Sequence, residues 1–153
     1  MKRLFLALVI ATVSMCAFAQ KGQKAVGASL VYGTEIENAG IGLKGQYNFT
    51  DALRGELSFD YFLKKDGVTF WDANLNLHYL FNLSEKAKVY PLAGITYGHT
   101  SYDSASDGKI GFNAGGGIQY DLSDNLFVNA EVRYQYIDHF DQLVIGVGLG
   151  YKF

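Results

Sequence analysis

The chain has 153 residues, room for one domain and little more. Its 13 Lys plus Arg stand against 15 Asp plus Glu, a formal net charge of −2, and no stretch concentrates the positive charge that nucleic acid requires. One cysteine excludes a disulfide scaffold, while 18 glycines against a single proline and 15% aromatic residues point to β structure.

The first element is a leader. Lys2 and Arg3 precede an apolar run from Leu4 to Val13, and Ala17-Phe18-Ala19 places small residues at the two positions that govern cleavage. This pattern predicts a secretory signal peptide over residues 1–19, cut after Ala19. The run is too short for a stable transmembrane helix, which needs about 20 apolar residues. A lipoprotein signal ending at Cys16 is the rival, and bulky Met15 before it argues against that processing. Cys16 leaves with the leader, so the mature chain has no thiol. Its 11 Lys plus Arg against 15 Asp plus Glu leave a charge near −4.

From residue 24 onward the hydrophobic period is two. In "LRGELSFDY", Leu53, Gly55, Leu57, Phe59 and Tyr61 share one face, and Arg54, Glu56, Ser58 and Asp60 share the other. Continuing this reading predicts eight strands at 24–33, 40–49, 53–62, 68–82, 87–99, 110–120, 126–136 and 142–153. The links at 50–52, 83–86 and 121–125 are tight and alike, each an aromatic followed by a polar turn. The links at 34–39, 63–67, 100–109 and 137–141 lie at the opposite end, with 100–109 expected as the longest loop. An all-β, eight-stranded, antiparallel up-and-down meander follows.

Alternation alone does not say which face points outward, because a soluble ligand-carrying barrel has the same period with its apolar face inside. Size separates the two. Eight strands enclose a space only wide enough for side chains to fill, and several Leu, Ile, Val, Tyr or Phe per strand would overfill it. The polar face holds the small residues, including Gly111, Gly115, Gly117, Gly146, Gly148 and Gly150. The polar face is therefore expected inside and the apolar face outside, an arrangement that water does not tolerate and lipid requires. Closure is expected too, since an open sheet edge in a bilayer leaves backbone groups unpaired. Tyr47, Phe49, Tyr79, Phe81 and Tyr120 fall beside the tight turns, and Tyr61, Trp71, Tyr97 and Tyr136 toward the other ends. These form the two aromatic belts of a transmembrane β-barrel.

With these features the mature chain, residues 20–153, resembles the small eight-stranded bacterial outer-membrane barrels: the OmpX type, the OmpA transmembrane-domain type and the opacity-type porin-like proteins. The resemblance implies residence in the cell outer membrane, contact with outer-membrane lipid and lipopolysaccharide, and a monomeric state. In such families a terminal strand ending in an aromatic looks like the label read by the barrel-assembly machinery. Phe153 with Tyr151, and Leu149, Val147 and Ile145 behind them, matches that label. The expectation is that the chain stops where the barrel closes, with no peptidoglycan-binding domain following.

Inside, the expected cations are Lys44, Arg54, Arg133 and Lys152, and the expected anions Glu56, Asp60, Asp72 and Glu131. Mutual pairing is expected, because a buried charge left alone is costly. His78 joins this face as a hydrogen-bonded core residue. No cofactor and no metal site is expected. "DSASDGK" has Asp103, Asp107 and Gly108 but places Ala105 and Ala114 where a calcium loop needs ligands, and "AGGGI" lies within a strand instead of opening a helix. Three roles are open: a structural or surface-interaction barrel, a narrow porin-like channel for small solutes, and a lipid A-modifying enzyme. For the last, barrels of the deacylase group use a His-x-Ser pair with an outward Glu. His99 and Ser101 supply the pair, but no Glu lies on the outward face of the sixth strand, and the expectation is no enzyme activity.

Overall fold

Successive strands pair with their neighbours around a complete circle in the computed structural model, which describes residue 3 and residues 22–102, 105–138 and 140–153. The segments are β1 (Lys24–Gly33), β2 (Asn38–Asn48), β3 (Leu53–Lys65), β4 (Val68–Tyr79), β5 (Phe81–Asn82), β6 (Ala87–Ser101), β7 (Ser106–Asp121), β8 (Leu126–Ile137) and β9 (Phe140–Lys152). β4 and β5 form one stave, so the wall has eight. The break at Leu80 lies where β4 and β5 face β6 across Tyr79–Pro91 and Leu80–Tyr90. Pro91, the chain's single proline, has no N–H to give the ladder there. β1 pairs antiparallel with β9 from Ala25↔Lys152 to Gly33↔Val144, which closes the barrel. Apart from residue 3, the expected leader, with Cys16 and Ala19, lies outside the described residues, as does Asp103.

The register sets the tilt. From Lys24 the paired residues run Tyr47, Gly55, Leu77, Ala93, Ala114, Tyr134 and Leu143. The amide of Thr34 donates to the carbonyl of Leu143. One circuit therefore returns ten residues along β1, from position 24 to position 34. With a rise of about 3.3 Å and a strand spacing of about 4.8 Å, that offset tilts the strands by about 40°, the range in which roughly ten residues cross the apolar layer.

The three tight turns use one device. The hydroxyl of Thr50 accepts from the amides of Ala52 (3.0 Å) and Leu53 (2.8 Å). Ser84 does the same for Lys86 (3.3 Å) and Ala87 (3.1 Å), and Ser123 for Asn125 (3.3 Å) and Leu126 (3.1 Å). A short hydroxyl side chain thus satisfies two amides that a two-residue reversal leaves unpaired. At the other end, Asp66 (φ 53°) and Gly67 (φ 78°) make the left-handed pair that suits a two-residue hairpin.

The opposite end departs from expectation in one respect. Residues 100, 101 and 106–109 are not loop: β6 and β7 continue as a ladder to Ser101↔Ser106. Their Ser, Asp and Gly content reads as loop because these residues stand above the apolar layer, where neither face of the hairpin is greasy. β7 pairs with β8 only from Gly111↔Ile137, so residues 106–110 form an edge that projects beyond β8.

The wall is apolar outside, with Leu30, Leu43 and Leu57 each about two-thirds exposed. Tyr47 and Phe49 (5.3 Å between centroids) and Tyr79 and Phe81 (4.8 Å) mark the tight-turn belt. Trp71 with Phe59 (5.3 Å) and Tyr97 (5.7 Å), and Phe112 with Tyr136 (5.4 Å), mark the other.

Candidate functional site

The lumen is layered from end to end. Beneath the four projecting hairpins, Val31, Phe62, Phe70, Ile137 and Val144 are buried together, with Ile36 and Phe140 packed on them. Phe70 stands 5.5 Å from Phe62 and 6.1 Å from Phe140, centroid to centroid. At the tight-turn end Leu80, Tyr90 and Leu92 form a second buried cluster, and Phe127 is 1% exposed. These residues share the inward parity of the polar face. Phe127 is the one the sequence places inside, in the room left by the inward glycines; alternation alone does not mark the others as a lining, because an apolar residue at the end of a polar face looks like a break in the pattern.

The polar network fills the bore between the two apolar clusters and runs on past Tyr90 to the tight-turn end. Arg133 on β8 donates across the lumen to Asp60 on β3 at 2.6 Å, and stands 3.9 Å from Asp72 and 3.7 Å from Glu131. Asp60 and Asp72 oppose each other in the β3–β4 register. Asn74 Nδ2 is 2.5 Å from Asp72 and 3.5 Å from Asp60. Gln135 donates to both Asp72 and Thr96 at 3.0 Å, and accepts from Gln142 at 2.8 Å. Gln46 donates to Glu56 at 2.6 Å, and Tyr90 donates its hydroxyl hydrogen to Glu131 at 3.0 Å.

The expected charges all face inward, but their pairing is less symmetrical than four against four. Arg133 gathers three carboxylates. Arg54 is held by neutral groups: its Nε lies 3.2 Å from His78 Nδ1, its Nη1 donates to Gln119 at 2.7 Å, and its guanidinium carbon sits 4.9 Å over the Tyr90 ring. Lys44 donates to Asn129 at 3.2 Å. Lys152 pairs with Asp121 at 3.0 Å, a partner beyond the expected set. The physical reason is the tilt, which brings to one level residues whose sequence positions give no hint of adjacency. Tyr90, Gln119, Gln135 and Asp121 belong to the network on this account, and inward parity was the only signal for them.

Two arrangements bear on chemistry. Glu56, His78 and Glu131 offer ligand atoms within 4.8 Å of one another. Metal-bound histidine donates its second nitrogen to an acceptor. Here the second nitrogen, Nδ1, receives Arg54, so Nε2 carries the proton and points 3.7 Å from Glu56. Lys44, Arg54 and Arg133 add positive charge, so the donor set suits an ion-pair network and not a divalent cation. On the outer wall His99 stacks on Trp71 at 5.1 Å, and its Nδ1 is buried without a hydrogen-bond partner, so that nitrogen does not bond to Ser101.

A cavity of about 20 Å³ borders Lys44, Glu56, Asp60, Glu131 and Arg133, room for roughly one water.

A closed, tilted, eight-stave wall that is greasy outside and ion-paired within defines a transmembrane β-barrel. Residues 5–153 match the model of the outer membrane protein beta-barrel domain, and the chain belongs to that family. Outer membrane protein X of Escherichia coli (strain K12) is 26% identical over 133 residues, covering 83% of this chain and 74% of its own. Among solved structures, the N-terminal β-barrel domain of Pseudomonas aeruginosa OprF superposes with a TM-score of 0.76 at 22% identity, covering 87% of this chain and 98% of that one. Ail, the attachment invasion locus protein of Yersinia pestis, superposes at 0.64 with 20% identity, covering 87% and 99%. The protein is an outer-membrane β-barrel and resides in the outer membrane, in contact with its lipid.

Proposed function

We propose that this barrel is a monomeric, non-enzymatic protein of structural and surface-interaction role, and that its lumen does not conduct. The observation that carries this reading is the double plug: Phe62 and Phe70 with Val31, Ile137 and Val144 at one end, Leu80, Tyr90 and Leu92 at the other. An ion crossing the upper layer would shed its water against hydrocarbon side chains, and at the tight-turn end it would meet the Arg54 guanidinium stacked on Tyr90. The surface-interaction half is supported by β7 residues 106–110, whose outer edge lies beyond the end of β8. An unpaired strand edge is a template for a partner's strand. Residues 1–19 act as the cleaved export signal, and Tyr151 and Phe153 as the label for the barrel-assembly machinery. The interior set of Lys44, Arg54, Glu56, Asp60, Asp72, Glu131 and Arg133 serves to hold the staves in register.

Planar-bilayer recording of the refolded protein tests the reading. A silent membrane is expected. Discrete conductance steps that change with Arg54→Ala would establish the narrow channel instead. The enzyme alternative has the weaker basis, since His99 stacks on Trp71 and its Nδ1 has no hydrogen-bond partner. Mass spectrometry of lipid A from cells with and without the gene is expected to show the same acylation.

A further inference from the structure

Above the upper plug the four projecting hairpins surround a hollow of about 340 Å³. Its floor is Phe70, Ile137, Phe140 and Ile36, and its rim carries Asp107, Lys109 and Asp138. A second hollow of about 240 Å³ shares Ile36, Val68 and Phe70 with the first and is edged by Glu35, Glu37, Lys65 and Asp66. Together they make a bowl with a greasy base and a charged lip.

The lip is acidic. Asp107 and Asp138 share one ammonium, with Lys109 Nζ 3.9 Å from the former and 2.9 Å from the latter. Among the described residues beyond the apolar layer on this side, Glu35, Glu37, Asp66, Asp107, Asp138 and Asp141 face only Lys64, Lys65 and Lys109. The tight-turn end has no such excess: Lys24, Lys86, Lys88 and Lys152 balance Asp51, Glu85, Asp121 and Asp124. The negative field is thus specific to the end that bears the bowl. A polyanion such as lipid A phosphate is repelled there, while a cation is steered in.

We propose that this bowl docks a basic polypeptide segment that carries an aromatic or large aliphatic side chain beside a lysine or arginine. The apolar group seats on Phe70, Ile137 and Phe140, and the cation meets Asp107 and Asp138 at the lip. An apolar anchor in a pocket under a charged rim is the arrangement in which a few residues supply most of the binding energy, and the first hollow has the volume of a ligand site. The inference rests on the surface-interaction reading above.

The test uses the full chain refolded in phosphatidylcholine nanodiscs, titrated calorimetrically with three terminally blocked peptides: Lys-Phe-Lys, Lys-Ser-Lys and Glu-Phe-Glu. Saturable binding is expected for Lys-Phe-Lys alone. Its affinity should fall about tenfold in the D107N/D138N variant, and about as much on raising salt from roughly 0.05 to 0.5 M. Thr100→Trp, which fills the hollow from its wall, should remove binding while the heat-dependent gel mobility of the folded barrel is kept. Equal binding of Glu-Phe-Glu, or undiminished binding by the Thr100→Trp barrel, would overturn the proposal. So would 2-phenylethylammonium binding as tightly as the peptide, which would assign the bowl to free amines. Absent peptide binding in a barrel that is silent in bilayers defeats this inference alone, whereas conductance defeats the reading beneath it.

Discussion

Arg133 and Asp60, 73 positions apart in the chain, meet at 2.6 Å across the middle of the barrel. Both side chains are buried, and Asp72 and Glu131 stand within 4 Å of the same guanidinium. One cation thus holds three acidic groups from β3, β4 and β8. Replacing both partners with hydrocarbon would cost little, but removing one leaves the others unanswered.

Arg133→Ala should therefore destabilise the barrel by about 3–5 kcal/mol. Equilibrium urea unfolding in lipid vesicles checks this. Arg133→Lys should recover part of the loss, because a lysine keeps the charge and lacks the fork that reaches two acceptors. A loss below about 1 kcal/mol in Arg133→Ala would mean that the network does not hold the staves.

Leu43 lies halfway along β2 on the outer wall and is two-thirds exposed. On a protein in water, a substitution there would shift stability within about 0.5 kcal/mol. In lipid, Leu43→Arg should cost about 2–4 kcal/mol, falling toward zero for the same change near either aromatic belt. Unfolding in vesicles, with Tyr47→Arg as the belt control, measures the depth dependence.

Gly150 and Phe127 are opposite in the β8–β9 register, and the Phe127 ring occupies the space a methyl group on Gly150 would need. Gly150→Ala should cost about 1–3 kcal/mol through overpacking. Phe127→Leu in the same chain should give part of that back, so the two changes together should be less than additive. Additive losses in a double-mutant cycle would show that the contact is not the cause.

The amide of Phe153 donates to Lys24 at 2.9 Å, and the Lys24 amide returns a bond at 3.4 Å, so the backbone of the last residue belongs to the closing seam. The ring itself points outward and is 64% exposed. Phe153→Ala keeps the seam, and its equilibrium stability should stay within about 1 kcal/mol. If the ring is the assembly label, insertion by reconstituted assembly machinery should slow severalfold while spontaneous refolding in detergent does not. Equal rates in both settings would remove that role.

Much of this is legible in the sequence. Strand count, face and end followed from residues such as Leu43 against Lys44, because a pleated strand sends neighbours to opposite sides and only one assignment fits eight staves. The similar turns at Thr50, Ser84 and Ser123 were legible for a local reason too: each closes on its own hydroxyl. The extension of β6 and β7 to Ser101↔Ser106 was not, since polar residues above the bilayer carry no period. The plugs were hidden because Phe62, Phe70 and Val144 interrupt a polar face only at its ends.

What the chain's order of residues determined alone is which side chains point in and which point out, and that depends only on the pleat. What the tertiary structure decided is who meets whom inside. Closure with a ten-residue offset tilts every strand, so Arg133 arrives beside Asp60, Tyr90 beside Glu131 and Phe70 beside Phe140. Those meetings depend on the circuit as a whole. No single strand contains the information, because the level at which two side chains face each other is the sum of every register around the wall.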